Sequence, residues 1–557
     1  MLRLERDTNQ LATEEFDLLI VGAGVFGAAA AWDAALRGYK VALVEQNDFG
    51  SGVSANSYKI VHGGIRYMQH LDIPRVRSSC HERSTFLKIA PHLVHPLPIA
   101  MPTYGYGMSG KPILKTGMLL YDILTADKNK GIADEQRKIP WAETLSKSEI
   151  LNLFPGLDTR GLTGAALFSD AQIYNPPRLV LAFLQSAVSK GATVCNHAKV
   201  TGFEISGDSV KAARVKDCLT GDTFNIRAKT YLTAAGPWTD ALLNKDEVTR
   251  GATPGVYSRD ACFVVPRRFD HDISVAIMGQ TKDPDAVMSR EGRSLFVVPW
   301  REFSLVGTWH KVVPATPDDI GIDRSEVERF IDEMHAAYPD LELSADDVTM
   351  CNWGLVPFGE DQHGGENLSY GKRSILVDHA DRSRPSNMVS LVGIRYTMGR
   401  GDAEWAMKAI ARKLNDDRKS PVSDHIPLYG GDVSNMEVLV DAVARALPAE
   451  LDHKIAYSLA RNYGSNAEEL IRNSDAQAIC PVGASHVIEA QVRHAIEFEM
   501  AMTIGDVVFR RTDLASGGVS EDSDLVRCAE IATRELNLSP AEAQRQMAAV
   551  RDRIPGW

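Results

Sequence analysis

The stretch 16–22 (FDLLIVG) is an unbroken apolar run ending in glycine, which predicts a strand buried on both faces. Residues 25–37 are rich in alanine and close on Gly38, the pattern of a helix with glycine just past its end. A second apolar run, Lys40 to Val44, stops at Glu45. Together these predict a βαβ unit. Further along, a helix is expected over 178–190, then short strands around 193–197, 199–204, 209–217 and 222–227. Gly207-Asp208 and Gly221-Asp222 supply turns between them, and a strand at 229–234 runs into Ala235-Gly236-Pro237-Trp238. Alternating apolar and polar positions predict more sheet at 261–266, 293–299 and 303–308.

Beyond about residue 415 the pattern changes. The segment 417–435 (DRKSPVSDHIPLYGGDVSN) is turn-rich and reads as a linker, and helical periodicity dominates after it. Ser465 with Glu468, and Ser539 with Glu542 behind Pro540, have the spacing of capping boxes. The expected fold class is α/β plus α. A nucleotide-binding domain interleaved with a mixed-sheet substrate domain fills 1–425, and a C-terminal helical domain fills 430–557.

Composition narrows the function. The 557 residues carry a net charge of −12, which argues against a nucleic-acid partner, since phosphate backbones are held by concentrated positive charge. Apolar residues at 44% and charged residues at 24% are ordinary for a globular protein. The cysteines (80, 195, 218, 262, 351, 480 and 528) are scattered without a CxxC pair, so neither a disulfide framework nor a metal site is expected. The N-terminal MLRLERDTNQ lacks the apolar core of a signal peptide, and the uncharged run Leu18–Trp32 is too short to span a bilayer. The expectation is a cytoplasmic protein, soluble or peripheral on a membrane.

Gly22-x-Gly24-x-x-Gly27 lies between the first strand and the helix, and Glu45 follows at the end of the second strand. In that setting the glycines let a pyrophosphate approach the helix N-terminus, while the glutamate accepts from a ribose. The chain then departs from a nicotinamide enzyme. It enters SGVSANSYKIVHGGIRY (51–67), where Ser51, Ser54, Ser57 and Lys59 can lie along an extended ligand that ends near Arg66 and Tyr67. The strand end TAAGPW (233–238) would return the chain to the same cofactor. FAD suits this organisation better than NAD.

The fingerprint, HGGIRY, TAAGPW, VVPWREFSLVGT (297–308) and ARNYGSN (460–466) together resemble the FAD-dependent glycerol-3-phosphate dehydrogenases, within the amino-acid-oxidase-like flavoproteins. The resemblance covers nearly the whole chain. It implies FAD contacts from Val25, Phe26, Gln46, Gly52 and His62, besides the glycines, Glu45, Ser51 and Ser54. Gly63, Gly64, Val200, Ala235, Gly236 and Trp238 join them, as do Gly393, Tyr396 and Thr397. It also implies oxidation of a secondary alcohol of a small anionic polyol by hydride transfer to flavin. Arg66 and Arg395 would act at the reacting end, with Tyr67, Lys372 and Arg373 on the substrate.

The motifs also depart from the family. GVRPL becomes Gly354-Leu355-Val356-Pro357-Phe358, so Val356 replaces an expected phosphate-binding arginine. KGSH becomes Arg259-Asp260-Ala261-Cys262, GTTD becomes Gly307-Thr308-Trp309-His310, and GGKLTTYR becomes Gly393-Ile394-Arg395-Tyr396-Thr397-Met398-Gly399-Arg400. His310 is the best candidate base by position, with His62 open between a catalytic and a backbone-bonding role; Cys262 reads as a small core residue. A flavin-binding scaffold without turnover is the alternative that a rebuilt pocket leaves open. Residues 111–130 carry an apolar stripe flanked by Lys111, Lys115, Lys128 and Lys130, which could lie on an anionic membrane and bring the flavin to a quinone. Electron acceptor and oligomeric state, a homodimer included, are not determined by these patterns.

Overall fold

A computed structural model describes residues 1–557 except 71, 106–109, 245–256, 283–291, 314–320, 358–372, 383–384, 417–422, 520 and 556–557. Two sheets organise the described residues. One has the order Ile375–Asp378, Met388–Val392, Thr223–Thr233, Glu15–Val21, Val41–Val44, Thr193–Cys195, with the hairpin Ala198–Ser206/Ser209–Asp217 extending it. Every pairing from Met388–Val392 to Thr193–Cys195 is parallel, as the βαβ reading requires. Leu18, Leu19 and Ile20 are fully buried in its centre, each stabilising the fold by about 1.5–3 kcal/mol relative to exposure.

The second sheet is mixed and runs Met350–Pro357, Tyr257–Pro266, Phe303–Val313, Gly292–Trp300, Ser274–Lys282, Val94–Tyr104, Leu162–Ile173, Ile60–Val61. Its strands come from between those of the first sheet, so the two units are interleaved along the chain. One face packs on the helix Arg324–Ala337 through Ala261, Phe263, Val265, Trp309 and Phe330. The opposite face, at the end carrying Asp260, Cys262 and Asn352, opens toward the fingerprint.

Helices from Met436 onward form the C-terminal part. They do not stand apart, because Val482, Val492, Val508 and Ile531 share a core with Val264, Val298 and Leu305 of the mixed sheet. Polar ties reinforce this contact. Arg178, on the helix Pro176–Val188, pairs with Glu499 at 2.6 Å, and Asp48 accepts from Arg510 at 2.6 Å and Arg511 at 2.7 Å. The loop following Glu45 is thus held by the C-terminal helices.

Several local expectations change. The strands expected at 222–227 and 229–234 are one strand, Thr223–Thr233, because sheet pairing on both sides carries it through. Ser465 caps no helix; Asn466 precedes Ala467–Arg472, and no side chain caps that end. Ser539 does accept from the Glu542 N–H at 3.2 Å, but the Glu542 carboxylate turns to Arg545 and Gln546, so only half of the box forms. Lys128 is buried on Asp122 and so cannot face a membrane.

Candidate active site

The cleft begins where the first strand ends. Gly22 has φ +104, and a Cβ there would lie 2.7 Å from the Ala234 carbonyl oxygen, so only glycine fits. Gly27 is tighter still, with its virtual Cβ 1.9 Å from the Gly22 oxygen; it packs helix on strand and does not line the cleft. Gly24 differs from both. It is the N-cap of Val25–Leu36, it has no side chain of its own to cap the helix, and a Cβ there would meet only Ser54 Oγ at 3.1 Å. The helix N-terminus is therefore presented to the cleft, with the positive end of its dipole toward an anion. Ser54 Oγ accepts from the Val25 N–H at 3.0 Å.

Glu45 closes this end. Its carboxylate accepts from the Ala23 N–H at 2.8 Å and the Asn47 N–H at 3.0 Å. Burial pushes its carboxyl above the usual range. It shapes the loop as well as offering an acceptor for a ribose. From here a cleft of about 920 Å³ runs past Gln46, Ser51, Gly52, Val200 and Trp238 to the face of the mixed sheet. A glycine-bounded helix N-terminus, a half-buried acidic acceptor and a long, mostly apolar cleft fit the pyrophosphate, ribose and ring of FAD.

At the far end stand His62, Arg395, Thr397, Thr308, Asp260, Cys262, Asn352 and Val356. The turn carrying His62 is pinned from behind. The Gly63 N–H donates to Asp170 Oδ1 at 2.6 Å, and the fully buried Arg83 donates to the same oxygen at 2.8 Å. A Cβ at Gly63 would fall 2.2 Å from the Tyr121 hydroxyl, and at Gly64 (φ +79) 2.7 Å from the Tyr67 ring. Neither glycine lines the cleft. Their role is to let the turn pass close beneath its support.

The His62 backbone N–H donates to Thr397 Oγ1 at 3.2 Å, while its ring meets Tyr67 edge-on at 5.7 Å. Burial, reinforced by Arg395, Arg75 and Arg83, lowers its pKa to about 4, so the imidazole is neutral at neutral pH. Arg395 donates to Ser79 Oγ at 2.9 Å and lies 5.3 Å from the centre of the Tyr67 ring, which also receives Arg75 at 3.9 Å. The ring braces both guanidinium groups.

Gly22, Gly24, Val25, Phe26, Ala235 and Gly236 line the cleft as expected, as do Gly393 and Tyr396. Other residues fall elsewhere. Tyr67 stands behind Arg395 and His62, outside the lining. Arg373 is exposed and does not reach the cleft; Lys372 and the Arg66 side chain lie outside the described residues. Lys59 turns away and is buried over the Trp300 ring at 4.6 Å, where burial lowers its pKa to about 8. His310 pairs with Asp260 across two strands but does not line the cleft, whereas His62 does. Cys262 is buried, and burial pushes its thiol up to about 11. The sequence reading assigned no role to Asp260, Thr308 or Asn352. Alternation groups Ser258, Asp260 and Cys262 on one face, but only strand packing shows that this face meets the cleft.

Residues 17–393 match the family described as FAD dependent oxidoreductase, and 421–543 match the C-terminal domain of alpha-glycerophosphate oxidase. The mitochondrial glycerol-3-phosphate dehydrogenase of Homo sapiens is 30% identical over 97% of this chain and 73% of its own length. The glycerol-3-phosphate dehydrogenase of Synechocystis is 28% identical, covering 92% of this chain and 91% of the relative. Among solved structures, the glycerol-3-phosphate dehydrogenase from Bacillus halodurans complexed with FAD superposes with a TM-score of 0.74 at 23% identity, covering 98% of this chain and 95% of that one. These relatives are named as enzymes, which does not favour a scaffold without turnover. The cofactor is FAD, and the chain belongs to the FAD-dependent oxidoreductases, in the family of the glycerol-3-phosphate dehydrogenases.

Proposed function

We propose that this protein oxidises a secondary alcohol of a small anionic polyol, glycerol 3-phosphate or a related phosphorylated or acidic compound. The observation that carries the reading is the convergence of Arg395 and His62 at the end of the cleft that starts at the fingerprint glycines. FAD supplies the hydride acceptor. Arg395, oriented by Ser79 and Tyr67, holds the anionic group through charge-assisted hydrogen bonds. His62, neutral because it is buried among cations, accepts the hydroxyl proton as the carbonyl forms. Its place in the lining supports it over His310 as the base.

Anaerobic flavin bleaching by glycerol 3-phosphate and by acidic polyols tests the activity, and absence of bleaching by every such compound refutes it. His62→Ala should slow bleaching about a hundredfold or more, whereas His310→Ala should change it less. Arg395→Ala should raise KM by more than about tenfold, the equivalent of about 1.4 kcal/mol.

No helix among the described residues is long and apolar enough to cross a membrane. The helix Lys111–Leu124 nevertheless exposes Leu119 (55%), Leu120 (48%) and Ile123 (59%), with Trp141 (58%) also exposed and Lys115 and Lys130 facing solvent. This patch supports peripheral contact with an anionic membrane and electron transfer to a quinone there. Triple substitution of Leu119, Leu120 and Ile123 by serine should release the protein from anionic vesicles; unchanged co-sedimentation would refute the contact.

A further inference from the structure

The strand Leu162–Ile173 carries a carboxylate into the interior beneath the His62 turn. Asp170 is 5% exposed, and a carboxylate so buried stays ionised only when it is paired. Its Oδ1 accepts from Arg83, on the helix Ile73–Ile89, at 2.8 Å and from the Gly63 N–H at 2.6 Å. Arg83 also donates to the Ser169 carbonyl at 3.0 Å and to the Tyr121 hydroxyl at 3.3 Å. From the other side, the Cys80 thiol donates to the Gly63 carbonyl at 3.0 Å and meets the Tyr121 hydroxyl at 3.1 Å. Both backbone groups of Gly63 are thus held by buried side chains.

Holding an N–H needs only an acceptor, and an amide would serve. Nor does a buried ion pair hold a fold better than apolar groups of the same volume, since desolvation offsets the attraction. The charge of Asp170 has a separate use. The Gly63 N–H belongs to the peptide bond that joins it to His62, so the carboxylate sits one residue from the imidazole. Asp170 acts on that imidazole more strongly than any of Arg395, Arg75 and Arg83, and with the opposite sign. The Tyr67 ring lies edge-on to it, and Thr397 accepts from the His62 backbone N–H. A proton arriving on His62 therefore creates a cation among three arginines, and the carboxylate offsets their repulsion.

We propose that Asp170 is a positioning residue for the oxidation: through Gly63 it fixes the His62 turn, and its charge stabilises the imidazolium that forms there. The proton passes from the substrate hydroxyl to the imidazole, the hydride leaves to FAD as the carbonyl forms, and Asp170 stays ionised throughout. The proposal rests on the reading of His62 as the base and adds the group that makes it basic enough.

The test begins with anaerobic bleaching of the holoenzyme by glycerol 3-phosphate and by D-glycerate. Asp170→Asn keeps an acceptor for the Gly63 N–H and removes the charge. It should slow bleaching at saturating substrate by about tenfold and leave KM unchanged. In a His62→Ala background the same substitution should slow bleaching no further, because the two residues act as a unit. Arg83→Gln combined with Asp170→Asn replaces the ion pair by a neutral one and serves the same comparison if Asp170→Asn alone does not retain FAD. Bleaching at the wild-type rate by the Asp170 variant, or equal slowing in both backgrounds, overturns the proposal. A second readout needs no substrate. NMR of 13C-labelled histidine in oxidised holoenzyme, with the His62 signal assigned by its loss in His62→Asn, should show the His62 midpoint moving below its wild-type value in Asp170→Asn. An unmoved midpoint also overturns the proposal. If His62→Ala bleaches as fast as the wild type, or nothing bleaches, while the midpoint moves as stated, the base reading fails and the charge coupling stands.

Discussion

The two ends of the cleft are built by different means. The nucleotide end is assembled from neighbours in sequence: Gly22, Gly24, Glu45 and Ser54 belong to one βαβ unit and the loop that follows it. Much of what it offers is backbone, a glycine-bounded helix N-terminus and N–H groups arranged around Glu45. The far end gathers His62, Asp260, Thr308, Asn352 and Arg395 from strands and turns far apart in the chain, and what it presents is side chains. A backbone site tolerates little change, because its geometry is the fold itself. A side-chain site can be rewritten one residue at a time, as Val356, Asp260 and Arg395 indicate here.

That contrast is most exposed by the glycines. Gly27→Val should prevent folding, since the Gly22 oxygen occupies the space, whereas Gly24→Val should leave a folded protein that has lost FAD. Circular dichroism beside flavin absorbance separates the outcomes. If Gly24→Val stays yellow, the helix N-terminus does not hold the pyrophosphate.

The far end should also carry an acid-sensitive group. His62 titrates near 4 in the folded protein, against about 6.5 when unfolded, so the unfolded chain binds the proton first. Its contribution is complete above about pH 6.5 and is lost as pH falls toward about 4, at about 1.4 kcal/mol per unit. His62→Asn should remove up to about 3 kcal/mol of this acid destabilisation, seen as a flatter plot of unfolding free energy against pH. An unchanged slope would place the imidazole in solvent.

Two smaller effects sharpen the comparison. Val356→Arg should improve turnover of glycerol 3-phosphate by up to roughly a hundredfold, about 2–3 kcal/mol, by adding one charged contact. Stopped-flow bleaching measures it, and no gain would mean that the valine wall does not face the anion. Glu45→Gln should weaken FAD by only about tenfold, because an amide still accepts one of its two backbone hydrogen bonds. Fluorescence of released flavin reports the loss.

The βαβ unit, the parallel sheet around it and the FAD site were legible because strand, helix, glycine spacing and acidic terminus are all local signals. The helical texture after residue 430 was legible for the same reason. Other features needed the folded chain. Nothing local says that Thr223–Thr233 is continuous; pairing to Glu15–Val21 and Ser209–Asp217 decides it. Position in a motif drew attention to His310, which shares a sheet face with its cross-strand partner Asp260; the course of the cleft brings His62 to the lining and not His310. Arg259 and Asp260 are adjacent in sequence, yet strand alternation sends one to Glu326 beneath the sheet and the other into the cleft. By itself the sequence determined the βαβ unit, the helical texture of the C-terminal part and which cofactor the chain holds, because those depend on periodicity and backbone chemistry; strands such as Val94–Tyr104, Leu162–Ile173 and Met350–Pro357 appear only in the folded sheet. Tertiary structure alone decided which charges face the cleft, because the side of a sheet that is buried is set by what packs against it.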